Sequence, residues 1–174
     1  MARPSVHLTG HERTFQPDEI IVSKTDLKGI ITYANDVFIR VSGYGEEELL
    51  GKPHNLIRHP DMPRCVFKLL WDTLGAGQEI FAYVVNLARN GDHYWVLAHV
   101  TPVYGNGGRI VGYHSSRRVP TRPAIEKATG LYKALLTEEA KHASPKDGMA
   151  ASGAMLAGIL RDKGTTYDQF VFTL

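Results

Sequence analysis

The chain holds a single cysteine, Cys65, in 174 residues. An internal disulfide is therefore excluded, which fits a reducing compartment. No apolar run nears the roughly 20 residues that cross a bilayer, and the N-terminal MARPSVHLTGHERTF lacks the apolar segment of a secretory signal. A cytoplasmic chain without a membrane span is the expectation. Charge is also scarce: 20 Lys and Arg stand against 18 Asp and Glu, net +2, and the longest basic run is the pair Arg117-Arg118. A nucleic-acid footprint needs a denser basic surface, so none is expected. Eight histidines are present but scattered. His54 and His59 lie five apart in a proline-flanked loop, and His93 and His99 share a strand face far apart, so no zinc spacing arises and no metal site is expected. No Ser/His/Asp arrangement, framed carboxylate pair or phosphate-cradling glycine loop appears, which argues against an enzyme. No internal repeat is visible.

What is there reads as alternating short elements. Ile20 to Ser23 and Ile30 to Tyr33 are strand-like around the turn Asp26-Leu27-Lys28-Gly29. Asn35 or Asp36 can cap a short helix carrying Val37, Phe38 and Val41 and ending near Gly43. A second helical turn covers Glu46 to Leu50. After Pro63, the residues Val66, Leu69, Leu70 and Leu74 repeat at helical spacing. Three longer strands follow, Glu79 to Ala88, Asp92 to Tyr104 and Arg109 to Ser116, separated by Asn90-Gly91 and Gly105-Asn106-Gly107-Gly108. Strands from both ends of this segment can share one antiparallel sheet with short helices gathered on one face, an α+β class. Beyond Pro120, one helix carries the apolar stripe Ile125, Ala128, Leu131, Tyr132 and Leu135, and another runs from about Gly148 to Asp162. The final TTYDQFVFTL reads as a short strand or apolar tail. The organisation is thus a lead-in over residues 1–18, a domain over 19–119 and a helical extension over 120–174.

Residues 54–63, HNLIRHPDMP, fit neither an amphipathic helix nor a half-buried strand. Together with SKTDLKGIITYANDVFIRVSGY, the tryptophan of LLWDTL and NGDHYWV, this block resembles the PAS domains of bacterial aerotaxis receptors, from about Ser23 to Val119. The resemblance implies a PAS fold with a five-stranded antiparallel sheet, FAD as cofactor, and support of FAD binding by Arg58, His59 and Asp61. Such receptors continue into membrane segments and a signalling coiled coil, neither of which these residues contain. At one position the sequence departs from the family: Ile80 stands where a tryptophan is usual. The flanks of Cys65 do not resemble the light-sensing LOV motif. A haem ligand is not expected either, since PRCVFKLLWDTL has no histidine and only His54 or His59 would remain.

Strand alternation supplies a separate argument. One face of the first long strand carries Ile80, Ala82, Val84, Asn86 and Ala88; the other carries Phe81, Tyr83, Val85 and Leu87. Asn86 is the lone amide among small apolar groups, and leaving it buried and unpaired would cost about 1–3 kcal/mol. A flavin's polar edge, neighbouring backbone or a buried water could each pair it. Ala82 and Ala88 leave volume that either Phe38, Leu70, Trp71 and Trp95 or a cofactor must fill. Arg58 has the guanidinium fork that matches a diphosphate. His59 could donate beside it. Asp61 could accept from a ribose, hold Arg58 or cap the following helix. Asn55 and His54 complete the candidate set, and Trp71 either stacks on a ring or packs as core. The expected function is redox or oxygen sensing with FAD, signalled to a chemotaxis-type partner. The alternative is a cofactor-free module for dimerisation or docking. The row Phe81, Tyr83, Val85 and Leu87 needs a cover: the N-terminal segment, the helix after Pro123 or a second subunit, with a homodimer expected.

Overall fold

A computed structural model describes residues 6–174, so the first five residues of the lead-in lie outside it. β1 (Ile21–Asp26) and β2 (Ile31–Ala34) form the expected hairpin. The Asp26 carboxylate closes its turn by accepting from the N–H of Lys28 and Ile30 at 2.8 and 2.9 Å, and Gly29 supplies the positive φ of 76° that the turn needs. Asn35 caps α1 (Asp36–Ser42), accepting from the Phe38 N–H at 3.1 Å. The same side chain accepts from Val22 N–H and donates to Ile20 O, which ties the helix start to β1. α2 (Glu46–Leu49) follows, and HNLIRHPDMP then opens with a single 3₁₀ turn, His54–Ile57, before turning irregular.

α3 (Arg64–Gly75) leads into β3 (Ile80–Leu87), β4 (His93–Tyr104) and β5 (Ile110–Arg118). The sheet order is β2-β1-β5-β4-β3, with every pairing antiparallel. α1 and α3 pack on its inner face around Phe38, Ile21, Leu49 and Leu74, which are essentially solvent-free. β3 is an edge strand whose free backbone groups find partners outside the sheet. The Met62 sulfur accepts from Val85 N–H at 3.4 Å, the Tyr132 hydroxyl donates to Tyr83 O, and Arg58 bridges Asn86. At the opposite edge, Ile31 exchanges two backbone bonds of 2.9 Å with Gly51 and Lys52.

The extension consists of α4 (Arg122–Ala140), α5 (Pro145–Asp162) and α6 (Tyr167–Val171). The expected tail is helical because Thr166 and Gln169 make a capping box. α4 lays Ala124, Ile125, Ala128, Tyr132 and Leu135 against the protein body, and each large apolar side chain buried there is worth about 2 kcal/mol. Tyr132 stacks on Trp95 with centroids 6.1 Å apart, and Phe172 meets Phe81 at 4.8 Å. Tyr83, Val85 and Leu87 are buried by these contacts. The chain therefore covers much of its own outer row with the helices after Pro120. Among the described residues, no helix is long and apolar enough to cross a membrane.

Candidate functional site

Between the inner face of the sheet and α3 lies a cavity of about 230 Å³. Its strand wall holds Val84 and Asn86 of β3, Ala98 and Val100 of β4, and Ser115 and Arg117 of β5. Its helix wall holds Phe67, Leu70, Trp71 and Leu74 of α3, and His54, Asn55 and Arg58 close one end. Ala98, which lines the cavity opposite Ala82 in the β3–β4 register, leaves space that a larger side chain there would fill. Trp95, considered above as a filler, sits on the other face against Tyr132. Ile80 is buried and does not line the cavity.

Polar atoms in this apolar setting are left unsatisfied. Among the described residues, the buried side-chain atoms without any hydrogen-bond partner are Asn86 Nδ2, Tyr94 Oη, and Nε and Nη1 of Arg117. Asn86 and Tyr94 face each other across β3 and β4, and Arg117 follows Ala98 on the same face of β5. Arg117 is 2% exposed, and among the described residues its hydrogen bond runs from Nη2 to Ser23 Oγ. Its guanidinium lies 4.5 Å from the Phe38 ring centroid. Burial draws its pKa down to about 10. Ser23 Oγ, which accepts from Arg117, also lies in hydrogen-bond contact with His54 Nε2 at 3.2 Å. Burial, reinforced by the Arg117 charge, pushes the His54 pKa down to about 3 and keeps this imidazole neutral. The result is a cavity edge with two unused guanidinium nitrogens and one unused amide nitrogen, beside a neutral histidine. Such an array receives an electron-rich or anionic acceptor edge of a flat apolar ligand.

The structure brings His54, Asn55, Arg58, Trp71 and Asn86 to this cavity. Trp71 stands at its rim, 43% exposed and edge-on to Tyr113 at 5.5 Å. Arg58 donates to Met62 O at 3.1 Å and lies over the Phe67 ring. His59 and Asp61 are elsewhere. His59 Nδ1 accepts from the Asp61 N–H at 3.1 Å, and both residues border a separate cleft of about 690 Å³ with His93, Trp95 and Tyr132 on the outer face. That cleft is larger, yet none of the unpaired buried atoms lines it, so the smaller cavity is the stronger site. Asp61 does not cap α3 either. The N-cap is Pro63, and the Cys65 N–H bonds instead to Glu139 Oε1 of α4 at 3.2 Å. Sequence reading missed Arg117, Tyr94, Ser23 and Ser115. Continuing the alternation Tyr113, Ser115, Arg117 along β5 would have placed the arginine inward.

Residues 31–117 match the profile of the PAS fold. The chain belongs to the PAS family. This PAS domain is 44% identical over 129 residues to the aerotaxis receptor of Escherichia coli K12, covering 74% of the chain and 25% of the receptor. It is 33% identical over 99 residues to the nitrogen fixation regulatory protein of Klebsiella pneumoniae, covering 57% of the chain and 20% of that protein. It therefore spans a quarter or less of these relatives. The dark structure of the blue-light photoreceptor Aureochrome1 LOV superposes with a TM-score of 0.57 at 21% identity, covering 66% of the PAS chain and 85% of that chain. An aerotaxis receptor and a nitrogen fixation regulatory protein are thus similar to it in sequence, and a LOV photoreceptor shares its fold.

Proposed function

We propose that this PAS domain binds a flavin, FAD by its likeness to the aerotaxis receptor, and reports redox or oxygen status to a chemotaxis-type signalling partner in the cytoplasm. The observation that carries the reading is the buried Arg117 guanidinium, which has no carboxylate partner among the described residues and two unused nitrogens, Nε and Nη1, at the cavity edge. An unpaired buried charge is expensive, and a ligand with acceptor atoms at that edge would offset the cost. Asn86 would donate to the same edge. The cavity accommodates a flat ring system and not a whole dinucleotide, so the tail would leave past Asn55 and Arg58, where the guanidinium of Arg58 can meet phosphate oxygens. A bound flavin supplies reversible electron transfer, with a change of charge at its polar edge. Arg117 favours negative charge at that edge. His54, held neutral, takes up no compensating proton near pH 7. Redox state would then be felt as a changed pull on β5 and β3, and a signal follows if two conformations bind the two forms differently.

The competing reading, a cofactor-free dimerisation or docking module, leaves the guanidinium and the Asn86 amide without partners. The absorption spectrum of freshly purified protein decides between them. Visible flavin absorption that is lost in Arg117→Met and weakened in Arg58→Ala supports the flavin reading. Colourless protein that cannot be reconstituted with FAD or FMN sinks it.

A further inference from the structure

Two of the polar attachments of helix α4 reach opposite walls of the cavity. The Tyr132 hydroxyl donates to Tyr83 O of β3, the strand that also presents Val84 and Asn86 to the cavity. Seven residues on, Glu139 Oε1 accepts from Cys65 N–H in the first turn of α3, the helix that presents Phe67, Leu70, Trp71 and Leu74. A spacing of seven is about two turns, so both side chains leave the same face of α4. The helix therefore straps the strand wall to the helix wall. Glu139 is 7% exposed, and the same oxygen also accepts from Ser152 Oγ of α5 at 3.0 Å. Its second oxygen lies 3.8 Å from Arg64. One enclosed carboxylate thus joins α3, α4 and α5, while close backbone approach at Gly148 holds α5 near it, where an added Cβ would stand 2.6 Å from Glu139 O.

We propose that α4 is a strap that reads the separation of β3 and α3, with Glu139 as the joint that passes a change in the cavity to α5. The physical basis is a two-state element. Docked, the carboxylate holds two donors. If α3 shifts so that the Cys65 N–H withdraws, a buried charge loses a partner and is stabilised again only by hydration, which requires α4 and α5 to loosen. Tyr132, bonding through a neutral hydroxyl, lacks that response. This inference goes beyond the flavin reading and stands whichever ligand fills the cavity.

The test perturbs the helix wall and reads the arm by amide hydrogen exchange in the full chain. Phe67→Ala, or Leu70→Ala as a milder second case, should speed exchange across residues 145–162 about fivefold, the lower end of ordinary coupling between sites. In a Glu139→Met background the same truncation should leave those residues unchanged. Glu139→Gln, which keeps the acceptor without the charge, should restore part of the effect. If Glu139→Met fails to fold, the Gln background decides, and the effect there must be smaller than in the native chain. An equal effect in the native and variant backgrounds means that direct packing of α3 on α5 carries the change, and overturns the proposal. So does an arm that ignores Phe67→Ala in the native chain.

Discussion

Exchanging Arg117 for methionine should separate the cost of the buried charge from its use. Burial lowers the guanidinium pKa from its ordinary value to about 10. At about 1.4 kcal/mol per pH unit, that displacement represents roughly 3 kcal/mol of hydration that the cofactor-free protein does not recover. Two favourable contacts stand against it: the bond to Ser23, worth ~1.5 kcal/mol for a charged donor, and the face of Phe38, worth ~0.5–1 kcal/mol. Methionine approximates the stem's length and packs without polar atoms. The cofactor-free variant should therefore be more stable by about 1 kcal/mol, as replacements of buried charges often are. Urea unfolding of the stripped protein measures this, and repeating the titration with saturating FAD measures the other half. Ligand binding adds stability according to concentration over Kd, and that gain should shrink by at least about tenfold in Kd in the variant, ~1.4 kcal/mol. A stripped Arg117→Met protein that loses more than about 1 kcal/mol would show the arginine to be a structural group with adequate partners, and the flavin argument would lose its base.

His54 gives a pH signature. Its folded pKa of about 3 lies below the 6.5 of the free group, so the unfolded chain takes up a proton that the folded one refuses. Stability is complete above about pH 6.5 and declines as pH falls toward 3; at about pH 5 the loss is about 2 kcal/mol. His54→Gln should remove that component, and parallel stability curves for the two proteins would contradict it. Asn86→Leu removes an unpaired buried amide, so the stripped protein should keep or slightly raise its urea midpoint while flavin affinity falls at least about tenfold; unchanged affinity by fluorescence titration would remove Asn86 from the site. Gly91→Ala should destabilise by about 2 kcal/mol or more in thermal unfolding, because φ is 95° and the new Cβ would sit 1.9 Å from His7 O; a neutral outcome would mean that the N-terminal segment does not rest there.

Where local chemistry decides structure, the sequence was legible. Asn35 as a cap, the Asp26–Gly29 turn and the Asn90-Gly91 hairpin each rest on contacts within a few residues, and period-two alternation on β3 placed Asn86 inward correctly. Failures came where partners are distant in the chain. Asp61 is three residues from α3 and well suited to cap it, but the cap comes from Glu139, 74 positions away from Cys65. The motif HNLIRHPDMP reads as one functional block, yet it passes around the β3 edge, so Arg58 lines the inner cavity and Asp61 the outer cleft, while Arg58 and His59 also share a third cleft between them. Arg117 enters the sequence reading only as half of the pair Arg117-Arg118, because the expected strand ends at Ser116, whereas β5 continues to Arg118. The outer apolar row was read correctly as needing a cover. Which of the candidates would supply it depended on long-range packing of α4 and α6, which residue patterns do not fix.

Both borders of the sheet are already engaged, by Met62, Arg58 and Tyr132 along β3 and by Gly51 and Lys52 beside Ile31. No visiting polypeptide can lengthen the sheet by laying down a sixth strand without first evicting one of these groups. Recruitment of another protein must therefore proceed through side chains on a face or a helix, and the folded chain is shielded from the edge-to-edge stacking that seeds fibrils.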